Sequence, residues 1–276
     1  MKVEPKAEQS GQEQPGAGGD EDFQTVTELP GEPVSQLQID RLLSRYLWAA
    51  SYCQDGDVVE AACGAGPGLG LLASASRSLE AGDLSEPILA RARAHYGERF
   101  PLKLFDAQDM PFEDHSKDVV ILFEALYYLP SAAAFVAECR RVLRPGGRVL
   151  IATVNKDLWE FHPSDFSVAY YGVPELRALF EAQGFATEFF GFEPVDRLSP
   201  VQSALRVVKR LAVASGLMPR TMAGKRWLKR IFYGPQVPMP GELEAGDGQI
   251  PEPTPLAGAE ADTVHRVIYC AAALQA

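Results

Sequence analysis

No stretch of this sequence approaches the roughly 18 consecutive apolar residues that a membrane-spanning helix requires. Residues 1–22 also lack the apolar centre of a secretory leader. Cysteine is scarce: Cys53, Cys63, Cys139 and Cys270 form no Cys-x-x-Cys pair and have no histidine at ligand spacing. That pattern excludes a disulfide framework and gives no zinc or other metal site, so reduced thiols and a cytoplasmic setting are expected. Positive charge is short as well, with 26 Lys and Arg against 37 Asp and Glu and a net charge of −11. No nucleic-acid partner is expected of so acidic a chain.

What is present is enough apolar residue, 46% of 276, to build a sizeable core. Residues 1–32 do not contribute to it. They are rich in Gly, Pro, Gln and Glu, and set two lysines against eight acids. Such a segment cannot bury enough apolar surface to offset chain ordering, and reads as a disordered acidic tail.

The densest signal lies at residues 57–70, Asp57-Val-Val-Glu60-Ala-Ala62-Cys-Gly64-Ala-Gly66-Pro-Gly68-Leu-Gly70. Val58 and Val59 are β-branched and apolar, as a buried parallel strand needs. An acid, Glu60, closes the strand. A glycine-dense turn follows, then Leu69, Leu71 and Leu72 open a helix. A strand, a glycine-rich turn and a helix form a cradle for a nucleotide-like ligand at a strand's carboxyl end.

Strand and helix patterns then alternate with short connections. Helices are expected at 35–51, 69–77, 88–96, 132–143 and 174–183, and strands at 57–60, 79–81, 102–105, 118–123, 148–154, 185–192 and 264–272. Ser35 is placed to cap the first helix. This order predicts an α/β fold with a doubly wound, mostly parallel, seven-stranded sheet. Asp83 ends the second strand, where an acid accepts from both ribose hydroxyls; capping the next helix is its structural alternative. Asp106 ends the third strand, placed to accept from an exocyclic amine, with Asp109 as a possible turn residue. Tyr46 either packs in the core or covers the ligand.

Two segments are individual. Residues 155–171 carry Trp159, Phe161, His162, Phe166, Tyr170 and Tyr171 after a strand's carboxyl end. Residues 193–262 form an insertion between the last two strands. Over 197–233 it has nine Lys and Arg and no acid, with helices expected from Ser199 and over 222–232. Residues 234–262 read as a long loop without periodicity, expected to be mobile.

Four pieces in this order carry a resemblance. They are Val59-Glu60-Ala61-Ala62-Cys63-Gly64-Ala65-Gly66; Gly82-Asp83-Leu84-Ser85; Asp106-Ala107-Gln108-Asp109-Met110-Pro111-Phe112 followed by Asp118-Val119-Val120; and Arg141-Val-Leu-Arg-Pro-Gly-Gly-Arg148. The chain resembles the class I S-adenosylmethionine-dependent methyltransferases of the ubiquinone-biosynthesis type over about residues 40–192 and the final strand. It departs from them at Ala62, where that family usually has glycine. The resemblance implies a Rossmann-like methyltransferase fold, with residues 33–192 and 263–276 as the methyltransferase domain; the insertion over 193–262 is expected, from its position and basic run, to form an acceptor cap with the aromatic loop. It implies S-adenosyl-L-methionine as cofactor. Glu60 would hold its ammonium group and Ala62, Gly64 and Gly66 would give backbone clearance. Asp83 and Leu84 would take the ribose, Asp106 or Ala107 the adenine, and the Phe123 carbonyl the ammonium; Tyr46 would cover the site.

The protein need mainly position an acceptor against an already activated methyl group and exclude water. A base is needed only for a poorly acidic nucleophile. His162 is the catalytic candidate, with His115 and Tyr127 as alternatives; His95 and His265 read as structural. The acceptor is expected to be a small molecule, or linked to a sugar or lipid, with peripheral contact to an anionic membrane through the basic insertion. A nicotinamide-dependent oxidoreductase is a rival, although its G-x-G-x-x-G fingerprint fails at Leu69. A catalytically inactive binding module is the other.

Overall fold

The computed structural model describes residues 29–164, 166–195, 235–246, 250–258 and 260–275. Residues 1–28 of the tail expected over 1–32 and both helices expected in the basic run lie outside the described residues; residues 29–32 are not part of a disordered tail, because Leu29 is buried and Gly31 and Glu32 exchange backbone hydrogen bonds with Met239. Ten strands are described: β1 (Pro33–Ser35), β2 (Asp57–Ala61), β3 (Ser78–Asp83), β4 (Leu102–Leu104), β5 (Lys117–Phe123), β6 (Leu143–Val154), β7 (Phe185–Pro194), β8 (Gln236–Pro238), β9 (Thr254–Pro255) and β10 (His265–Leu274). Five α-helices, α1 (Gln36–Ala50), α2 (Leu69–Ala75), α3 (Glu86–Tyr96), α4 (Ala132–Val142) and α5 (Val173–Glu181), and one 3-10 turn over Leu126–Tyr128 join them.

Helix α1 starts where its sequence says it should. The Ser35 hydroxyl accepts from the Gln38 amide, and the Gln38 side chain accepts in return from the Ser35 amide. This reciprocal cap satisfies two donors that a helix start otherwise leaves unpaired. Ile39, Leu42, Leu43, Tyr46 and Ala49 then bury one face. Those positions recur at the helical period, so one stripe carries all the apolar contact.

Strands β4, β3, β2, β5 and β6 run parallel in that order, and β10 lies antiparallel between β6 and β7. Side-chain alternation divides the core. Val58, Ile121, Leu150 and Tyr269 face the side of α1, α2 and α3. Val59, Val120, Ile151 and Ile268 face α4 and α5. Strand order reverses between β2 and β5, and ligands bind in such sheets at the carboxyl ends of the strands beside that switch point.

Three differences from the sequence reading follow from tertiary context. The sheet has eight strands, because β9 adds two residues to the edge of β7. The Arg144-Pro-Gly-Gly turn lies within the span of β6 rather than before it. Leu143 pairs with Lys117 and Arg148 with Val119, so residues 144–147 bulge out while pairing resumes on both sides. Finally, residues 235–246 are not a free loop. Strand β8 pairs with β1, Met239 and Leu243 are buried, and the Leu243 amide donates to the Pro67 carbonyl at 2.7 Å. Scattered anchors of this kind have no period and leave no pattern to read. Among the described residues, no helix is long and apolar enough to cross a membrane.

Candidate active site

A cavity of about 800 Å³ opens at the carboxyl ends of β2 and β5. It is of the size that holds a cofactor and a second molecule. Its floor is the turn after β2. Ala62 there has φ +54°, a left-handed conformation that L residues adopt at a cost, and Gly64 and Gly66 follow at +60° and +77°. Gly68 has a different role: a methyl group on it would overlap the Tyr46 ring. The glycine lets α1 press its tyrosine onto the turn.

That tyrosine packs in the core and also lines the cavity. Tyr46 is buried, packs edge-on against Phe123 at 5.4 Å, and donates its hydroxyl to Glu60 Oε1 at 2.8 Å. Glu60 is 1% exposed, and its Oε2 is buried with no hydrogen-bond partner. Desolvation pushes its carboxyl up to about 8, against the lowering pull of the Tyr46 hydroxyl and of Arg45. A buried carboxylate oxygen with an open lone pair is matched by a cationic donor such as an ammonium group.

Asp83 is half-buried on the cavity wall. Its Oδ2 accepts from the Gly64 amide and its Oδ1 from the Ser85 amide, both at 2.9 Å. Burial raises its carboxyl above the usual range, while these backbone donors pull it back. The side chain thus ties the turn to the start of α3, and each oxygen keeps a second lone pair for a ligand hydroxyl. The structural and binding roles predicted for Asp83 are compatible. Ser85 occupies the N-cap of α3 without a side-chain capping bond.

Asp106 lines the cavity and accepts from the Gln108 amide at 2.8 Å and from its side chain. Asp109 lies behind it, donating its amide to the Asp106 carbonyl in a turn. Ala107 and Leu84 line the same end; Leu84 is 57% exposed, an apolar face at the mouth. Phe123 contributes a buried ring to the wall.

The far end is built by α1, the residues after β5, and the 155–171 loop. Tyr127, Phe161 and His162 line it. His162 is exposed at the rim. His115 is not there: it precedes β5, at the opposite edge of the sheet, with Nδ1 2.8 Å from the Leu143 carbonyl. His265 is buried against Asp262 Oδ2 at 2.9 Å and His95 pairs with Glu242, consistent with structural roles. Sequence reasoning missed Arg45 and Glu124, both lining the cavity. Arg45 Nη1 is 3.6 Å from Glu124 Oε1, and the Tyr127 hydroxyl donates to Glu124 Oε2 at 3.1 Å. The one sequence signal for Arg45 was its place beside Tyr46; Glu124 was marked only by following a buried strand.

Among the described residues, no cluster of His, Cys, Asp and Glu is arranged to hold a metal. The orphaned Glu60 oxygen, the two-handed Asp83 and the cleared turn together fit an adenosyl group bearing an ammonium.

Residues 59–151 match the family model described as a methyltransferase domain. A probable S-adenosylmethionine-dependent methyltransferase of Mycolicibacterium smegmatis is 36% identical over 152 residues, which is 52% of this chain and 57% of that protein. A ubiquinone biosynthesis O-methyltransferase of Thiobacillus denitrificans is 33% identical over 104 residues, 36% of this chain and 45% of that one. The chain spans about half the length of the curated relatives it matches. A crystal structure described as a possible histamine N-methyltransferase of Thermotoga maritima shares the fold, with a TM-score of 0.54 at 13% identity over 86% of this chain and 92% of that one. The cradle at residues 59–66 and the parallel strands around it thus lie within the stretch that matches a methyltransferase domain, on a fold shared with solved S-adenosylmethionine-dependent methyltransferases.

Proposed function

We propose that this chain binds S-adenosylmethionine along the β2–β3–β5 edge and transfers its methyl group to an acceptor held under the 155–171 loop. The observation that carries this is Glu60: a buried carboxyl group lining the cavity, with one oxygen bound by Tyr46 and the other without a hydrogen-bond partner. When bound, the cofactor supplies a methyl group already activated on a sulfonium. Glu60 holds the ammonium, Asp83 accepts from the ribose hydroxyls, and Asp106, Ala107 and Leu84 surround the base. Tyr46 and Phe123 cover the centre and exclude water, which strengthens every polar contact inside. The acceptor is a small molecule, or one linked to a sugar or lipid, and His162 contacts it from the rim.

The test is calorimetric. Wild-type protein is expected to bind S-adenosylmethionine, with Glu60→Gln weakening it about 10- to 100-fold through loss of a charge-assisted hydrogen bond. Binding of a nicotinamide dinucleotide in place of S-adenosylmethionine would overturn the reading; cofactor binding without transfer to any acceptor in a screen with labelled methyl donor would leave an inactive binding module. The nine cations of residues 197–233 suit an anionic acceptor or membrane surface. Co-sedimentation with anionic vesicles, lost on charge reversal at Arg206, Lys209 and Arg210, checks that part.

A further inference from the structure

The acceptor end of the cavity holds a polar group that the cofactor does not use. Glu124 is the first residue beyond β5, and β5 is paired in register with β2, Leu122 opposite Ala61. Glu124 therefore lies two residues beyond the last paired position, beside the turn that follows β2. Glu124 sits at φ +50°, a strained conformation for a residue with a Cβ. Its Oε2 accepts from the Tyr127 hydroxyl and its Oε1 faces Arg45. Each oxygen has a second lone pair, and the side chain lines the cavity.

The surroundings define what meets it. Tyr127 and Phe161 form one wall, braced from behind by Tyr170, which stacks on the first at 4.8 Å and meets the second edge-on at 4.7 Å. An aromatic wall suits a flat or ring-shaped acceptor. Arg41, Arg45 and Arg266 line the same end, and each is paired: Arg41 with Glu193, Arg45 with Glu124, and Arg266 with Glu160 and Glu193. A lining of paired charges suits an acceptor that arrives neutral, such as a hydroxyl whose proton a carboxylate takes as it reacts.

We propose that Glu124 is the general base of the reaction and that the acceptor atom is a hydroxyl oxygen borne on a ring, phenolic or sugar. This rests on the methyltransferase reading above. The acceptor oxygen forms its bond to the methyl carbon as the carbon–sulfur bond breaks. That bond's electron pair stays on sulfur, and the hydroxyl proton passes to a Glu124 oxygen. Burial raises the Glu124 carboxyl above its ordinary range, partly offset by Arg45, which makes it the stronger base. Tyr127 is a positioning residue: its hydroxyl donates to Glu124 Oε2 at 3.1 Å and fixes the carboxylate, leaving its other lone pairs for the proton.

The experiment compares wild type, Glu124→Gln and Tyr127→Phe with labelled methyl donor on catechol, 4-nitrophenol, methyl glucoside and aniline. S-adenosylmethionine affinity, measured alongside, is expected to be the same in all three proteins. With catechol or the glucoside, Glu124→Gln is expected to lower kcat by about 10²-fold or more, the usual size of a general-base contribution. With 4-nitrophenol, already ionised at about pH 8, the same variant is expected to approach the wild-type rate, because no proton remains to be removed. Tyr127→Phe is expected to move the acidic limb of the wild-type pH–rate profile upward, since a donor to the carboxylate has been lost. Transfer to aniline alone, no transfer to any hydroxyl, or equal wild-type and Glu124→Gln rates on catechol and the glucoside would overturn the proposal. Which ring is used, phenol or sugar, separates the two acceptor sources. Failure of the wild type to bind S-adenosylmethionine would instead remove the methyltransferase reading on which the proposal stands.

Discussion

Ala62 and Glu60 set opposite demands on the same turn. Ala62 occupies a left-handed conformation at φ +54° in a position where the resembling family has glycine. The strain of a Cβ there is about 1 kcal/mol, larger than the chain entropy a glycine would add to the unfolded state. Ala62→Gly is therefore expected to raise stability by up to about 1 kcal/mol, read from the urea midpoint, with cofactor affinity unchanged or improved. Glu60 carries a pH dependence. Its carboxyl is near 4.5 in the unfolded chain and about 8 in the fold without cofactor. Between those values the folded protein holds a proton that the unfolded one has lost, so stability falls as pH rises through this window. Glu60→Gln is expected to reduce that slope in denaturation series run across the window, leaving the part that Asp83 and Glu124, also raised by burial, contribute. An ammonium partner favours the ionised form, so wild-type cofactor affinity is expected to rise with pH up to about 8 and to release a proton on binding, measurable in buffers of different ionisation enthalpy.

Helix α1 was legible from its period and its cap, but its function was not. Periodicity places Tyr46 on the buried stripe; only the packing of α1 over the glycine turn sends the ring onto Gly68 and the hydroxyl onto Glu60. Gly68→Ala tests that element-level contact. The new methyl group must displace a core ring, so a loss of about 1–3 kcal/mol in stability is expected. Cofactor affinity is expected to fall with it, because the displaced Tyr46 no longer fixes Glu60; an unchanged affinity would separate the two contacts. The strap at 235–246 makes the converse point. Glu242 reaches His95 Nε2 at 3.1 Å and Arg99 Nη1 at 2.8 Å, tying an aperiodic segment to α3. No local propensity announces such a segment, since its order comes from partners more than a hundred residues away.

Across the molecule the two edges of the sheet have different work. At the amino-terminal edge, Asp118 accepts from the Asp57 amide at 2.8 Å and pairs with Arg77 and Arg144. Arg144 bridges on to Asp57, so the bulge in β6 is pinned by a charge network on the side away from the cavity. These groups are partly exposed and their pairs are screened. Asp118→Ala is expected to cost about 1 kcal/mol and to leave S-adenosylmethionine affinity within error. A fall in affinity would show that the edges are coupled.

Residues 57–70 by themselves determined the strand, the turn and the acid at its head, because β-branched runs, closely spaced glycines and a single carboxylate act through neighbours in the chain. The same local logic made the alternation of strands and helices, and with it the parallel sheet, readable in advance. The meeting of Glu124, Arg45 and Tyr127 was decided only by the fold. They come from different elements, Arg45 from α1 and the other two from the segment after β5, and the distances between them are set by how that helix lies across the strand ends. Order along the chain carries no record of that crossing, whereas packing α1 onto the glycine turn fixes it.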